Sequence, residues 1–298
     1  MIQETPLVSI LIVTWNRKVD LARSIESALA QNYPTTEVVV VDNASQDGTA
    51  DMVARDFPQV RLIRSHRNLG CPSGRNLGFV NCRGRYVYLL DDDGWLKEDA
   101  IARAVARAEL DDAIGVVMSR VFEMSGDKVL RVRPAGRDEP AYQGGFLGCA
   151  ALIRREALDR VGMFPDDFVR QAEENDLAIR MIDGGFFCFL EPSSVMYHAP
   201  SPVGRNLKVF YYYKLRNTTK TALRLLPFPW NMLRVLRNGG YAIWFTLRHG
   251  TLTMPVRLAC CFIHDLFTLK GQRRPVSCRA FRLFRRLKAQ PSEGRPSL

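Results

Sequence analysis

For about 110 residues the chain alternates short apolar, β-prone runs with stretches of helical spacing, and this limits the folds open to it. "LVSILIVT" (7–14) reads as a buried strand, and "EVVVVD" (37–42), "VRLIRS" (60–65) and "RYVYLLD" (85–91) read as further strands. Between them, "VDLARSIESALAQ" (19–31) sets Leu21, Ile25, Ala28 and Leu29 at helical spacing. "TADMVARDF" (49–57), "SGRNLGFVNC" (73–82) and "EDAIARAVARAEL" (98–110) also read as helices. Strands joined through helices lie parallel in one sheet, so the pattern predicts an α/β fold, doubly wound, with a mainly parallel sheet flanked by helices.

The rest is less regular. "AIGVVMSRVF" (113–122) and "GFLGCAALI" (145–153) read as strands, and "RREALDRV" (154–161) and "ENDLAIRMIDGG" (174–185) as helices. Residues 207–226 are rich in Tyr, Lys and Arg. From Pro227 onward apolar residues are interleaved with arginines, and the last eight residues read as frayed. With 298 residues and 47% hydrophobic content, the chain suits one large domain plus an extension. We place a catalytic body at 1–226 and a basic amphipathic helical C-terminal extension at 227–298.

Charge divides along the same line. Residues 201–298 hold 19 Lys and Arg against two acids, Asp265 and Glu293, whereas residues 1–200 hold 23 bases against 29 acids. A basic tail on a mildly acidic body suits an anionic surface, a membrane or a nucleic acid. No recognised nucleic-acid motif accompanies it, so a membrane is the expected partner and nucleic acid is not. The start lacks the basic region of a signal peptide, and no run of eighteen apolar residues occurs. The seven cysteines are odd in number and lack C-x-x-C spacing, which fits a reducing compartment. These features predict a cytoplasmic protein, peripheral on the inner face of the plasma membrane.

The candidate chemistry sits where strands end. In open α/β sheets ligands gather beyond the carboxyl ends of the strands. One strand ends in Asp42, followed by Asn43, and another runs into Asp91, Asp92 and Asp93. Adjacent like charges repel, and a divalent cation among them relieves the repulsion. Mg²⁺ and Mn²⁺ favour such oxygen ligands and are often completed by substrate phosphates. The triplet therefore reads as a metal site that holds a diphosphate, against the plainer reading of a solvated acidic turn. Asp42 suits a base N–H or a ribose hydroxyl, although Asp, Asn, Ser and Gly also favour turns. The Gly-rich "NLGCPSGRNLG" (68–78) opens a helix that suits phosphate approach, with Arg75 beside it. Glu173, Glu174 and Asp176 begin another helix, where acids are favoured by the helix dipole, but a carboxylate there can also serve as a general base. His198 reads as a metal ligand or phosphate contact, or else as a structural histidine.

In order and spacing these segments resemble the family 2 glycosyltransferases of the GT-A fold over roughly residues 7–220. The likeness rests on "VSILIVTWNR", "ALAQNYP", "EVVVVDNASQDGT", "NLGCPSGRNLG", "YLLDDDGWL", "GMFPDDF" with "EENDLAIR", and "YYYKLRN". It is nearer to the bacterial rhamnosyltransferase-like branch, which builds cell-surface glycans on lipid-linked acceptors. The resemblance implies that Asp42 recognises the base and ribose of a UDP- or dTDP-sugar and that Arg75 contacts the nucleotide. It implies that Asp91 and Asp93 are the outer members of a D-x-D metal motif, with Asp92 facing the sugar or ribose. Glu174 matches the second acid of the pair that supplies the base, and Glu173 the first. It implies an inverting transfer to a glycan hydroxyl. The Q-x-x-R-W motif of processive synthases is absent, which favours single-sugar transfer. A sugar-1-phosphate nucleotidyltransferase would need a Gly-rich loop after the first strand, where this chain has "TWNRKVD". A catalytically inactive scaffold subunit would not need the acids at 42, 91, 93 and 174.

Overall fold

The computed structural model describes residues 5–200, 206–249 and 253–298. Its elements in chain order are β1 (Val8–Thr14), α1 (Lys18–Leu29), β2 (Thr36–Asp42), α2 (Thr49–Asp56), β3 (Arg61–Arg64), α3 (Cys71–Phe79) and β4 (Tyr86–Asp91). There follow β5 (Gly94–Leu96), α4 (Ala100–Ala108), β6 (Ile114–Ser125), β7 (Lys128–Arg133), β8 (Ala141–Gln143), β9 (Ala150–Arg154), α5 (Arg155–Val161), α6 (Glu173–Asp183) and β10 (Phe187–His198). The last four helices are α7 (Leu207–Leu225), α8 (Trp230–His249), α9 (Thr253–Thr268) and α10 (Cys278–Ala289).

The main sheet path runs β3-β2-β1-β4-β9-β6-β10-β5, and β7 and β8 pair with β6 and β10. Pairs β3–β2, β2–β1, β1–β4 and β6–β10 are parallel, while β9 runs against both its neighbours and β5 against β10. The expected mainly parallel sheet flanked by helices is thus present. Its central strand explains itself: Ile10, Leu11 and Ile12 are apolar on both faces and all are buried, as a strand covered on both sides requires. On α1, Leu21, Ile25 and Ala28 meet the core as their spacing predicts, but Leu29 points outward.

Register decides which residues meet at the sheet's carboxyl edge. Thr14 pairs with Asp42, and Val13 pairs with Asp91, so the ends of β1, β2 and β4 lie side by side. Beyond β4 the chain turns into β5, whose Gly94 pairs with His198 at the end of β10. This antiparallel pair carries His198 to the acid triplet from over 100 residues away.

Some expectations need revision. The strand expected over 145–153 forms only at β9. Residues preceding it stay in a loop because α10 lies against them: a Cβ at Gly144 would sit 2.5 Å from the Phe284 carbonyl oxygen and 2.6 Å from the Lys288 nitrogen. The tyrosine-rich 207–226 stretch becomes α7, whose start is capped by the Asn206 side chain, accepting from Lys208 N at 2.9 Å.

The C-terminal region does not lie apart from the body. Phe281, Phe284 and Leu287 of α10, which "FRLFRRLK" places on one helical side, are buried in the main core rather than displayed. The final residues, expected to fray, are tied down. Ser292 and Tyr142 exchange backbone hydrogen bonds of 2.7 and 3.1 Å, and Arg295 lies 3.1 Å from Asp111. On α8 and α9 large apolar side chains stay exposed, among them Leu236, Trp244, Leu247, Ile263 and Phe267. No helix among the described residues is long and apolar enough to cross a membrane.

Asp167 fastens α7 to the loop before α6. It accepts from Lys220 at 2.6 Å and from both Arg224 terminal nitrogens at 2.8 and 2.7 Å. Burial alone would raise its carboxyl, but Arg224 and Lys220 outweigh burial and hold it down to about 2. Its contribution is therefore complete above the unfolded carboxylate range, about 4, and lost as pH falls through the folded value. We expect Asp167→Asn to cost about 1–2 kcal/mol at pH 7, between an exposed and a buried pair. Urea unfolding of both proteins at a series of pH values tests this. The difference should shrink on acidification, and a gap still undiminished near pH 2 would contradict the assignment.

Candidate active site

Three elements bring the acids together. Asp91 ends β4, Asp92 and Asp93 follow in the turn to β5, and Glu173 and Glu174 open α6. Asp93 is buried and accepts from Arg17 Nη1 at 2.6 Å, while its other oxygen lies 2.8 Å from His198 Nε2. Arg17 also lies 3.3 Å from Asp92. Arg75, on α3, reaches in from the opposite side. Its Nη2 donates to Asp91 Oδ1 at 3.0 Å and to the Gly148 carbonyl at 2.9 Å, and its Nη1 lies 3.4 Å from Glu173 Oε1.

Two arginines and a histidine therefore offset the triplet's repulsion before any cation arrives. Burial would raise Asp93, but the hydrogen bond and charge of His198, then Arg17, hold it well below the usual carboxylate range. Asp92 behaves oppositely: burial outweighs Arg17, and Asp93 adds to it, pushing Asp92 up to about 7.

The donor atoms of Asp91, Asp93 and His198 all lie within 4.8 Å of one another. Two carboxylate oxygens and one imidazole nitrogen suit a divalent cation of the Mg²⁺ or Mn²⁺ kind. Of the three, Asp91 is the most exposed, with 35% of its side chain accessible, and further ligands would come from a bound molecule.

Asp42 is buried beside this cluster. Its Oδ2 accepts from Ser45 N at 3.2 Å, but its buried Oδ1 accepts nothing. A buried acceptor without a donor is costly, so a donor from outside the chain, water or ligand, would relieve it. Asn43, grouped with Asp42 as a nucleotide-contact candidate, also braces the neighbouring loop. Its amide donates to Asn68 Oδ1 and to the Gly70 carbonyl, both at 3.1 Å, and accepts from Leu69 N at 2.8 Å. Both ends serve the Gly-rich loop. At Gly70 that loop needs glycine, with φ at 79° and a Cβ position 2.5 Å from the Val169 carbonyl oxygen.

At the start of α6 the three acids separate in character. Asp176 is taken up by Arg180 at 2.9 Å and by the Thr221 hydroxyl at 3.0 Å, so its work is structural. Glu173 is buried, and its Oε2 has no partner; burial, and then the neighbouring Glu174, push its carboxyl up to about 8. Glu174 is only half-buried. A Cβ at Gly148 would lie 2.7 Å from Glu174 Oε1 and 2.6 Å from Arg75 Nη1, so these two charged groups meet over a glycine.

Reading the sequence did not single out Arg17, Gly148 or Asn217. Asn217, fully buried on α7, donates to the carbonyls of Arg170 and Gln171 at 2.7 and 2.8 Å. Gln171 and Ala172, just before Glu173, have φ of 71° and 70°; Asn16, beside Arg17, and Ala44, beyond Asp42, are the other non-glycine residues with positive φ among those described. Each such residue costs on the order of 1 kcal/mol or more, and all four border this cluster. The one signal available beforehand was that Arg17 and Asn217 fall inside the segments "VSILIVTWNR" and "YYYKLRN".

Comparison with known proteins points the same way. Residues 9–162 match the family described as "Glycosyl transferase family 2". The succinoglycan biosynthesis protein ExoO of Rhizobium meliloti is 41% identical over 215 residues, which is 66% of this chain and 62% of that protein. The chain therefore spans about three fifths of that relative's length. A Bacillus subtilis protein described as a putative teichuronic acid biosynthesis glycosyltransferase, TuaG, is 26% identical over 194 residues, covering 62% of this chain and 75% of its own. Among solved structures, the mannosyltransferase PcManGT of Pyrobaculum calidifontis, in complex with GDP-Man and Mn²⁺, superposes with a TM-score of 0.59 at 23% identity, covering 94% of this chain and 79% of that one. Residues 1–349 of S. aureus TarS, in complex with UDP, give 0.62 at 17% identity, covering 95% and 87%. At these identities the likeness is one of fold, and it is the GT-A arrangement.

Proposed function

Since this chain belongs to glycosyl transferase family 2, we propose that it is an inverting glycosyltransferase that needs a divalent cation. On this reading it moves one sugar from a UDP- or dTDP-sugar to a hydroxyl of a lipid-linked glycan during synthesis of a cell-surface polysaccharide. The observation that carries the reading is one edge of the sheet. There Asp91, Asp93 and His198 converge within 4.8 Å, beside an unpartnered Asp42 oxygen. The names of the succinoglycan and teichuronic acid relatives support the polysaccharide role, and the nucleotides in the solved relatives support the donor class. The finer rhamnosyltransferase-like reading rests on motif order alone.

Asp91, Asp93 and His198 would hold Mg²⁺ or Mn²⁺, which when bound supplies positive charge against the departing diphosphate. Asp42 accepts an N–H or hydroxyl hydrogen from the nucleoside. Arg75 is locked by Asp91, the Gly148 carbonyl and Glu173, so its charge is preorganised rather than recruited. Glu174 takes the proton of the acceptor hydroxyl as that oxygen attacks the anomeric carbon, and one displacement inverts the configuration. Glu173, with Oε1 3.4 Å from Arg75 Nη1, is assigned to positioning Arg75.

Incubating the full chain with UDP- and dTDP-sugars, an acceptor extract and Mn²⁺ tests the reading. It predicts cation-dependent release of UDP or dTDP and a product of inverted anomeric configuration by NMR. Release that is indifferent to chelation would sink the metal assignment. Gly148→Ala adds a finer check. Its methyl group would displace Arg75 or Glu174, and a misplacement of about 1 Å is expected to cost about 10²-fold in turnover. Thermal unfolding should fall only by the cost of shifting Arg75 from its partners, and a variant as active as wild type would remove this contact from the site.

The apolar surface of α8 and α9, among the tail's bases, is proposed to rest on the inner face of an anionic membrane. Exposed Leu236, Trp244, Leu247 and Phe267 would enter the headgroup boundary. Each base near that surface contributes roughly 1 kcal/mol. The full chain is expected to float with anionic liposomes at low salt and to come off as salt rises. A chain that ignores such liposomes at low salt would refute this placement.

A further inference from the structure

The proposed transfer leaves Arg17 without a task, and helix capping does not supply one. Arg17 is the N-cap of α1, where its side chain makes no capping bond. Good N-caps carry a side-chain acceptor, and a cation at that end opposes the helix dipole. Yet the backbone around it is closely held. Asn16 has a left-handed φ of 53°, its N–H donates to Ser45 Oγ at 2.9 Å, and its Oδ1 accepts from Gln46 N at 2.7 Å. Lys18 N donates to Asp47 Oδ2 at 3.3 Å. Both neighbours of Arg17 are thus fastened to the loop that follows Asp42, and the side chain between them reaches the acid triplet.

One nitrogen makes both contacts there. Arg17 Nη1 lies 2.6 Å from Asp93 Oδ2 and 3.3 Å from Asp92 Oδ1. A guanidinium carries five N–H donors in a rigid fork. Among the described residues, the Nε and Nη2 hydrogens of Arg17 meet no protein acceptor. Arg75 differs, being spread over Asp91, the Gly148 carbonyl and Glu173. The other Asp93 oxygen lies 2.8 Å from His198 Nε2, and both residues belong to the candidate metal cluster. A divalent cation bound there would share the Asp93 carboxylate with a guanidinium. Two cations on one carboxylate repel strongly where water is scarce, and only 5% of the Asp93 side chain is exposed. An anion that engages both the cation and the open N–H groups of Arg17 removes that conflict. Phosphate oxygens suit a hard cation and a guanidinium fork alike, so a diphosphate has the chemistry required.

We propose that Arg17 is a counter-cation of the acid triplet that opposes divalent-cation binding in the free chain and favours it once a nucleotide diphosphate is bound. The identity of the anion rests on the transferase reading, and Arg17 becomes the residue that couples the two ligands. The first test needs neither nucleotide nor turnover. Mn²⁺ is titrated into the full chain, and the free ion is followed by its EPR signal. R17Q and R17M, which remove the charge, should bind Mn²⁺ about tenfold more tightly than wild type. R17K keeps the charge and should stay within about twofold of wild type. Calorimetry with UDP at saturating Mn²⁺ should show the opposite sign, with R17Q and R17M binding UDP about tenfold more weakly. A residue that only supports the fold would weaken both ligands together. Mn²⁺ affinity in R17Q and R17M equal to wild type or lower would overturn the proposal, and so would R17K gaining as much as they do. Tighter Mn²⁺ with UDP affinity unchanged would overturn the coupling to the diphosphate. Tighter Mn²⁺ in both variants, with UDP bound by neither variant nor wild type, would leave the competition standing and count instead against the transferase reading.

Discussion

Asp93→Ala is expected to abolish cation-dependent nucleotide binding, by about 10²-fold or more in affinity, while the protein stays folded. No other acid of the triplet holds partners on both oxygens as Asp93 does, with Arg17 at 2.6 Å and His198 at 2.8 Å. Removing it takes away one of three candidate ligands and releases a second from its orientation. Arg17 keeps its ion pair with Asp92, at 3.3 Å. The residue lies in a turn beyond β4 but is buried and paired on both oxygens, so its removal should also cost about 3 kcal/mol in stability. Calorimetry with UDP and Mn²⁺, with Asp93→Asn alongside, reads the effect directly. Asn keeps the shape and can still accept from Arg17, so it separates loss of charge from loss of packing. Affinity equal to wild type in both variants would remove Asp93 from the ligand set.

Glu174→Gln is expected to lower kcat by about 10²- to 10⁴-fold and to leave nucleotide affinity within about twofold. A base acts in the transition state, so its removal should be absent from donor binding. Glu173→Gln should behave differently. It weakens the grip on Arg75 at 3.4 Å, a positioning contact, so donor binding should change along with a smaller loss in kcat. The half-buried Glu174 can meet an incoming hydroxyl, whereas Glu173 is buried against Arg75. Steady-state kinetics on both variants decide between them. A dead Glu173→Gln beside an active Glu174→Gln would exchange the two roles.

Much of this architecture is local in origin and therefore readable from the chain. Strand periodicity, helix spacing and the habit of acids at strand ends depend on neighbours within a few residues. That is why β1, β2, β4 and the positions of Asp42 and Asp91–Asp93 were legible without coordinates. The order of the motifs carried the family as well. The partners of those acids were not legible, because register and topology choose them. Pairing of β5 with β10 puts His198 on Asp93, and the left-handed backbone at Asn16 precedes the arginine that reaches the same carboxylate. Gly148 matters only because Arg75 and Glu174, on different helices, meet over it. The tail shows the division most clearly. Its composition announces an amphipathic basic region, but composition cannot say which apolar face finds protein. Phe281, Phe284 and Leu287 are buried in the body's core because Gly144 lets α10 approach, whereas on α8 and α9 Ala242 and Phe245 pack against α7 and Leu236, Leu247 and Phe267 stay exposed. Burial is a property of two surfaces, and a single stretch of sequence specifies only one of them.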